Sequence, residues 1–395
     1  MKPTVFDTAI VGGGPAGCSA AITLARLGAR VVLFEAKAYP HDKLCGEFLS
    51  PECAGRLDEL GLTPALRALK PVPIEIACLT APDGAVWETR LPGVALGLTR
   101  KALDAALAER ALAVGVDVRP ATTVTDIHGS LSAGFELETR SERVRAQTVI
   151  AAHGKRGALD RALGRSFLKR PQPFVALKAH FHGPPLPNRI ELHAFPGGYC
   201  GMSEIENGAA NVCFLAHASV FRGAAQVGPE RVSEFLKWMS AQNPRLGDWL
   251  SRASQIGDRW ISIGQVPFSG KRPVEGEVVM AGDAAGLVAP LAGDGIAIAL
   301  HSGKLAAECS AGFLDGRLSA DELRRQYAAE WQRAFNVRFR LGRILQNFML
   351  RPYLLGPALR LINTIPPLGT YLVTHTRSHG PTVLNAKSLF YRRAR

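Results

Sequence analysis

The sequence predicts a mixed α/β and α+β protein: a discontinuous parallel-sheet domain, an inserted antiparallel β-rich domain and a helical C-terminal region. Three observations predict it. Apolar Thr8-Ala9-Ile10-Val11 runs through Gly12-Gly13-Gly14-Pro15-Ala16-Gly17 into an apolar helix pattern at residues 20–25, which reads as strand, tight turn, helix. Residues 174–215 switch to strands bounded by Gly and Pro, such as Lys178-Ala179-His180-Phe181-His182. A later strand at 277–281 enters Gly282-Asp283-Ala284-Ala285-Gly286, and after a short loop a helix opens at Gly295, so the first domain is assembled from distant segments.

Each element has its own reason. Gly12 permits the sharp turn, Gly14 leaves bare backbone for a pyrophosphate, and Gly17 lets the helix approach the sheet. Val31-Val32-Leu33-Phe34 then ends in Glu35, eighteen residues after Gly17, where an acid can bind a ribose hydroxyl pair. A polar loop around Lys43-Leu44-Cys45-Gly46-Glu47 leads to a predicted helix over 51–60. Residues 71–95 read as short strands about a Pro82-Asp83-Gly84 turn. Thr99 caps a helix that begins with Arg100, and strands follow at 116–118 and 144–151. Beyond residue 314 the pattern is helical.

These elements assign 1–70, 96–165 and 270–315 to the nucleotide domain, 71–95 and 166–269 to the β-rich domain, and 316–395 to the helical region. The 395 residues, 47% hydrophobic, suit a globular protein with a large core. Seven cysteines without paired CxxC spacing, and no signal-like start, predict a reducing cytoplasmic setting. The net charge of +13 is concentrated: residues 335–395 hold nine arginines, Lys387 and no acid, which is +10 of the total. Phe335, Phe339, Leu345 and Phe348 alternate there with arginines, a composition suited to a helix lying on an anionic membrane. Arginines pointing to water from helices that only cap the domains are the alternative.

Gly282-Asp283 puts a carboxylate at the carboxyl edge of the sheet, and Gly293-Asp294-Gly295-Ile296 supplies a second glycine turn at a helix start. Two such turns suit a long ligand with a pyrophosphate at one end and an electron-rich ring at the other, so FAD fits better than NAD. These motifs, with Thr99-Arg100 and Asp104, resemble the FAD-dependent aromatic-hydroxylase (p-hydroxybenzoate hydroxylase-like) superfamily and, through Cys45-Gly46, Gly286 and Ser302-Gly303, its geranylgeranyl-reductase-like branch. The resemblance implies a Rossmann-type FAD domain in which Glu35 binds the adenosine ribose. By it Arg100 and Val124 line the FAD channel, Asp283 holds the ribityl chain, and Gly295 and Ile296 lie beside the flavin ring.

Three departures from the branch stand out. Glu47 replaces a glycine, His153 replaces an acid before Gly154-Lys155-Arg156, and Gly197-Gly198-Tyr199-Cys200 keeps only the start of a substrate-pocket motif. Lys155 and Arg156 suit either a phosphate or a solvated basic turn. Cys45, Glu47 and Tyr199 are the catalytic candidates, and His193 is a further possible acid. His180 and His182 share a strand face without a nearby carboxylate cluster, so no metal is expected. No G-x-S-x-G elbow supports a hydrolase.

The resulting expectation is an FAD-dependent oxidoreductase that reduces a lipophilic unsaturated small molecule, with NAD(P)H as a transient donor and peripheral contact with the inner membrane face. The alternative is an FAD-dependent monooxygenase acting on an aromatic or polyketide-like substrate. A halogenase is weaker because the chain has no Trp-x-Trp-x-Ile-Pro segment. The basic tail also raises a nucleic-acid reading, but no stacking aromatics or recognition motif support one, and none is expected.

Overall fold

The computed structural model describes residues 5–365, except 226, 227, 229 and 269. Two sheets organise it. In the first, strand Val5–Val11 pairs in parallel with Val31–Phe34 on one side and Arg143–Ala151 on the other. Asp117–Arg119 and Val278–Met280 extend the parallel array at either end. These strands are apolar runs because helices cover them; Val31–Phe34 is buried at every residue.

Helices Pro15–Arg26 and Gly295–Leu314 pack together on this sheet. A Cβ on Gly303 would lie 2.2 Å from the Ala16 carbonyl oxygen, so glycine sets the approach of the two helices. The Ser19 hydroxyl donates to the Leu300 carbonyl at 2.7 Å, and the Ser302 hydroxyl accepts from the Gly282 N–H at 2.8 Å. The two glycine turns, some 270 residues apart in the chain, are thereby fixed side by side.

The second sheet runs in the order Ser254–Gln255, Phe174–His182, Ala210–His217, Gly198–Glu204, Arg189–Phe195, Val72–Thr80, Val86–Gly97. Its ladders are antiparallel except where Arg189–Phe195 meets Val72–Thr80 in parallel. Phe48 and Leu49, which fall inside the 1–70 segment, pair with Gly97 and Leu96 at the edge of this sheet. The 71–95 excursion is two long strands instead of several short ones, the second reaching Gly97.

Helices Arg231–Gln242 and Pro244–Ser251 cover the back of the second sheet through Phe195, Phe214, Phe235 and Met239. No sequence expectation had placed them. The C-terminal region begins with Ala320–Met349, capped by Ser319 and Glu322 in a reciprocal box, and continues as Pro352–Thr364. The expectations for residues 366–395 lie outside the described residues.

Candidate functional site

The cavity is built first by the glycine turn. Gly12 sits at φ +109°, and a Cβ there would meet the Ala152 carbonyl oxygen at 2.4 Å. A Cβ on Gly17 would lie 1.8 Å from the Gly12 carbonyl oxygen, so the helix can start against the turn only as glycine. Gly14, Pro15 and Ala16 line the cavity, and no side chain caps this helix start, which leaves its N-terminal field for an anion.

Two cations reinforce that field. The Arg100 Nη2 and Lys43 Nζ lie 3.3 and 3.8 Å from where a Gly14 Cβ would be. Arg100 is aimed by a bidentate pair with buried Asp104 at 2.8 and 2.9 Å. Burial opposes its charge, but Asp104 outweighs burial and holds the guanidinium firmly protonated. Val124 is buried in the same wall.

Glu35 closes this end. Its Oε2 accepts from the Gly13 N–H at 2.9 Å and from Lys43 at 3.0 Å. Burial pushes the Glu35 carboxyl up, yet the Lys43 charge and these hydrogen bonds hold it below the usual carboxylate range. It is an acceptor for hydroxyls such as those of a ribose.

The second turn forms the other end. Asp283 follows strand Val278–Met280, and its carboxylate lies 3.5 Å from the Lys155 ammonium. Lys271 donates to the Asp283, Lys155 and Gly154 carbonyls, at 2.5, 2.6 and 3.3 Å, and burial pulls its pKa down to about 8. Gly293 adopts φ +69° against the Phe48 ring, and Gly295 faces open space at a helix start with no side-chain cap. Gly295 and Ile296 line the cavity there.

Between the ends lies the 43–47 loop. Cys45 is partly buried and Gly46 lines the cavity beside it. Glu47 is fully buried, accepting from Lys178 at 2.5 Å, His180 at 2.6 Å and the Arg100 N–H at 2.9 Å. Burial opposes its charge, but His180 and Lys178 outweigh burial and hold the carboxyl below its usual range. His180 therefore does meet a carboxylate, one too distant in sequence to be seen beside it. Lys178 was missed altogether; its only signal was a lysine inside an otherwise apolar strand.

Other candidates separate by side-chain direction. On strand Arg189–Phe195, Ile190 and Leu192 face the cavity while Glu191 and His193 face away. His193 is fully buried against Thr80 at 2.8 Å and Glu191 at 3.3 Å, which removes it from the possible acids. Tyr199 lines the cavity, and burial raises its phenol well above the ordinary range. His153 bonds buried Asp160 at 2.9 Å, and Lys155 bridges two loops by reaching the Leu44 carbonyl and Asp283.

Glu35, the 43–47 loop, Arg100, Tyr199, Asp283 and Gly295 border one cavity of about 930 Å³. From the second glycine turn it continues as an apolar passage past Leu192, Trp87 and Leu287 to Met349, Leu359 and Ile362 on the last two helices. Two uncapped helix starts, each with a glycine cradle and a flanking acid, fit the two halves of FAD. Among the described residues no cluster of potential metal ligands occurs.

Known proteins share this fold. A family model described as FAD binding domain matches residues 5–332. A menaquinone reductase of Mycolicibacterium smegmatis is 28% identical over 87% of this chain and 85% of its own length. A digeranylgeranylglycerophospholipid reductase of Methanopyrus kandleri is also 28% identical, over 85% of this chain and 84% of its own. A solved geranylgeranyl bacteriochlorophyll reductase-like protein of Thermoplasma acidophilum superposes with a TM-score of 0.74 at 20% identity, over 98% and 99% of the two chains. A myxobacterial chondrochloren halogenase also gives 0.74, at 23% identity over 86% and 82%. The chain belongs to the FAD binding domain family and is an FAD-dependent oxidoreductase.

Proposed function

We propose that this oxidoreductase reduces a carbon–carbon double bond in a lipophilic small molecule and takes its electrons from NAD(P)H. The observation that carries the reading is the continuity of the cavity: the dinucleotide cradle opens directly into an apolar passage walled by the second sheet and the last two helices. Reductases named for menaquinone and for a digeranylgeranyl lipid are among its relatives, and both names denote lipophilic substrates.

FAD, when bound, would supply hydride-transfer chemistry beside the passage. The chain supplies position and a proton. Gly14 to Ala16, Arg100 and Lys43 would hold the pyrophosphate, Glu35 the adenosine ribose, and Asp283 the ribityl chain. The Gly295 and Ile296 N–H groups at the helix start would favour negative charge on a ring held there. Glu47 is held ionised by three donors and cannot give a proton, which leaves the Tyr199 hydroxyl or the Cys45 thiol to protonate one carbon of the double bond.

The substrate arrives from a membrane. Seven of the eleven large hydrophobic residues exposed among the described residues lie between Val337 and Ile365. Arg340, Arg343, Arg351 and Arg360 flank them, and the sequence from 337 to 365 contains no acid. Such a face suits an anionic lipid surface. No helix among the described residues is long and apolar enough to cross a membrane.

The halogenase-like fold keeps a monooxygenase as the second reading. Anaerobic turnover separates them, with menaquinone and a digeranylgeranyl glycerophospholipid as probes. The purified protein should carry a flavin spectrum, oxidise NAD(P)H and form saturated product without oxygen. Product formed only in air, with labelled oxygen incorporated, would replace the reductase by the monooxygenase.

A further inference from the structure

The loop that carries Cys45 and Gly46 is held by its backbone from outside. Lys178 donates to the Lys43 carbonyl at 3.4 Å, Lys155 to that of Leu44 at 2.9 Å, and Asn211 to that of Cys45 at 3.3 Å. Three consecutive carbonyls are thus gripped from three different elements. Glu47 closes the loop: its carboxylate takes Lys178, His180 and the Arg100 N–H, while its carbonyl accepts from the Leu98 N–H at 3.1 Å.

This arrangement is costly as a mere stabiliser. Glu47 adopts φ +53°, a left-handed conformation that is unfavourable for a non-glycine residue. It also buries a carboxylate and an ammonium, whose desolvation commonly cancels their attraction. Both costs fall where the loop, the start of helix Arg100–Ala113 and the second sheet meet. Because the carboxylate can only accept, the His180 Nε2 carries the proton in this contact.

Strand alternation adds the connection to the substrate passage. Ala176, Lys178 and His180 share one face of strand Phe174–His182; Ala176 lines the cavity, and the next two clamp the loop. The paired strand repeats this, with Leu215 and Cys213 on the cavity and Asn211 on the Cys45 carbonyl. One sheet face therefore roofs the passage and grips the loop. The Cys45 sulfur in turn neighbours the Arg100 guanidinium and accepts from the Glu47 N–H at 3.4 Å.

We propose that Glu47, Lys178 and His180 form a positioning unit that sets the Cys45-Gly46 turn and the Arg100 helix start from the second sheet. The unit couples the wall of the substrate passage to the cofactor end. The coupling is a property of the chain; only what the turn faces rests on the reductase reading.

The test is the native-state alkylation rate of Cys45 by iodoacetamide, read by peptide mass spectrometry with and without FAD, alongside the FAD dissociation constant and the thermal midpoint. His180→Ala and the double variant Glu47→Gln/Lys178→Met, which leaves no unpaired buried charge, should each raise the Cys45 rate about tenfold as the loop opens locally. The same variants should weaken FAD binding about tenfold, while His180→Gln, which keeps a donor, should stay within about twofold of the parent. A Cys45 rate unchanged in both disruptive variants, or a rise shared equally by all seven cysteines through global unfolding, overturns the proposal. Failure of the parent protein to bind FAD would instead strike the cofactor assignment, and the rates in FAD-free protein would still read the coupling.

Discussion

The Arg360 guanidinium lies 2.9 Å from the Asp83 carboxylate and ties helix Pro352–Thr364 to the turn between strands Val72–Thr80 and Val86–Gly97. Asn363 adds a hydrogen bond to the Val86 carbonyl at 2.7 Å. The inner face of this helix, Leu355, Leu359 and Ile362, walls the apolar passage, while Tyr353, Leu354 and Leu361 are exposed outside. One short helix thus separates the passage from the face assigned to lipid.

Arg360 is expected to contribute more to lipid binding than to folding. Its pair with Asp83 is exposed on both sides, so Asp83→Ala should lower unfolding stability by less than about 1 kcal/mol in a denaturant titration. Reversal in Arg360→Glu should weaken sedimentation with anionic vesicles by about 2 kcal/mol, since each charge near such a surface contributes about 1 kcal/mol. Equal sedimentation of Arg360→Glu and the parent at low salt would remove the lipid-facing role of this helix.

The glycines of the first turn should respond unequally to one methyl group. Gly17→Ala places Cβ 1.8 Å from a backbone oxygen that cannot yield, so it should abolish FAD binding and lower the thermal midpoint steeply. Gly14→Ala meets only the flexible ends of Arg100 and Lys43, at 3.3 and 3.8 Å. It should fold with a near-parental midpoint yet bind FAD about tenfold more weakly, a loss of about 1.4 kcal/mol, because the methyl group intrudes on the pyrophosphate position. Fluorescence titration with FAD, paired with thermal melts, reads both.

Asp160 should make the fold acid-sensitive over a defined window. Burial pushes its carboxyl up, but His153, the Gly157 N–H and buried Arg165, each within 2.9 Å, outweigh burial and hold it near about 2. The folded value is below the unfolded one, so the stabilisation is fully present above pH ~4 and is lost as pH falls toward about 2. Asp160→Asn should remove about 2 kcal/mol at neutral pH and flatten the stability curve in that window, as read from urea midpoints between pH 2 and pH 6.

The sequence showed those parts of the site that are written locally. The first glycine turn lies between a short apolar strand and a helix, the second opens a helix, and Glu35 and Asp283 follow closely on their strands, so local pattern alone marks them. What it could not show depends on contacts between distant segments. Glu47 meets Lys178 and His180 across 131 and 133 residues, and no local pattern encodes that pairing. His193 was misjudged because strand alternation defines two faces without saying which meets the cavity. Helices Arg231–Gln242 and Pro244–Ser251 went unread although their apolar residues, Phe235, Met239, Leu246 and Trp249, recur at helical spacing.

Leu359 provides a test of where the substrate chain runs. It is 1% exposed, walls the passage from helix Pro352–Thr364, and lies far in sequence from both glycine turns. Leu359→Trp should intrude on the passage while leaving the dinucleotide cradle untouched. The FAD dissociation constant should stay within about twofold of the parent, and the thermal midpoint should fall only modestly, since overpacking commonly costs about 1–3 kcal/mol. KM for a digeranylgeranyl lipid should rise about tenfold with little change in kcat, because the lost contacts are equal in ground and transition states. An analogue cut to one isoprene unit should be spared, since it does not reach this helix. If both substrates lose efficiency equally, the long chain leaves the cavity by another route, and the last helix is a cover instead of a path.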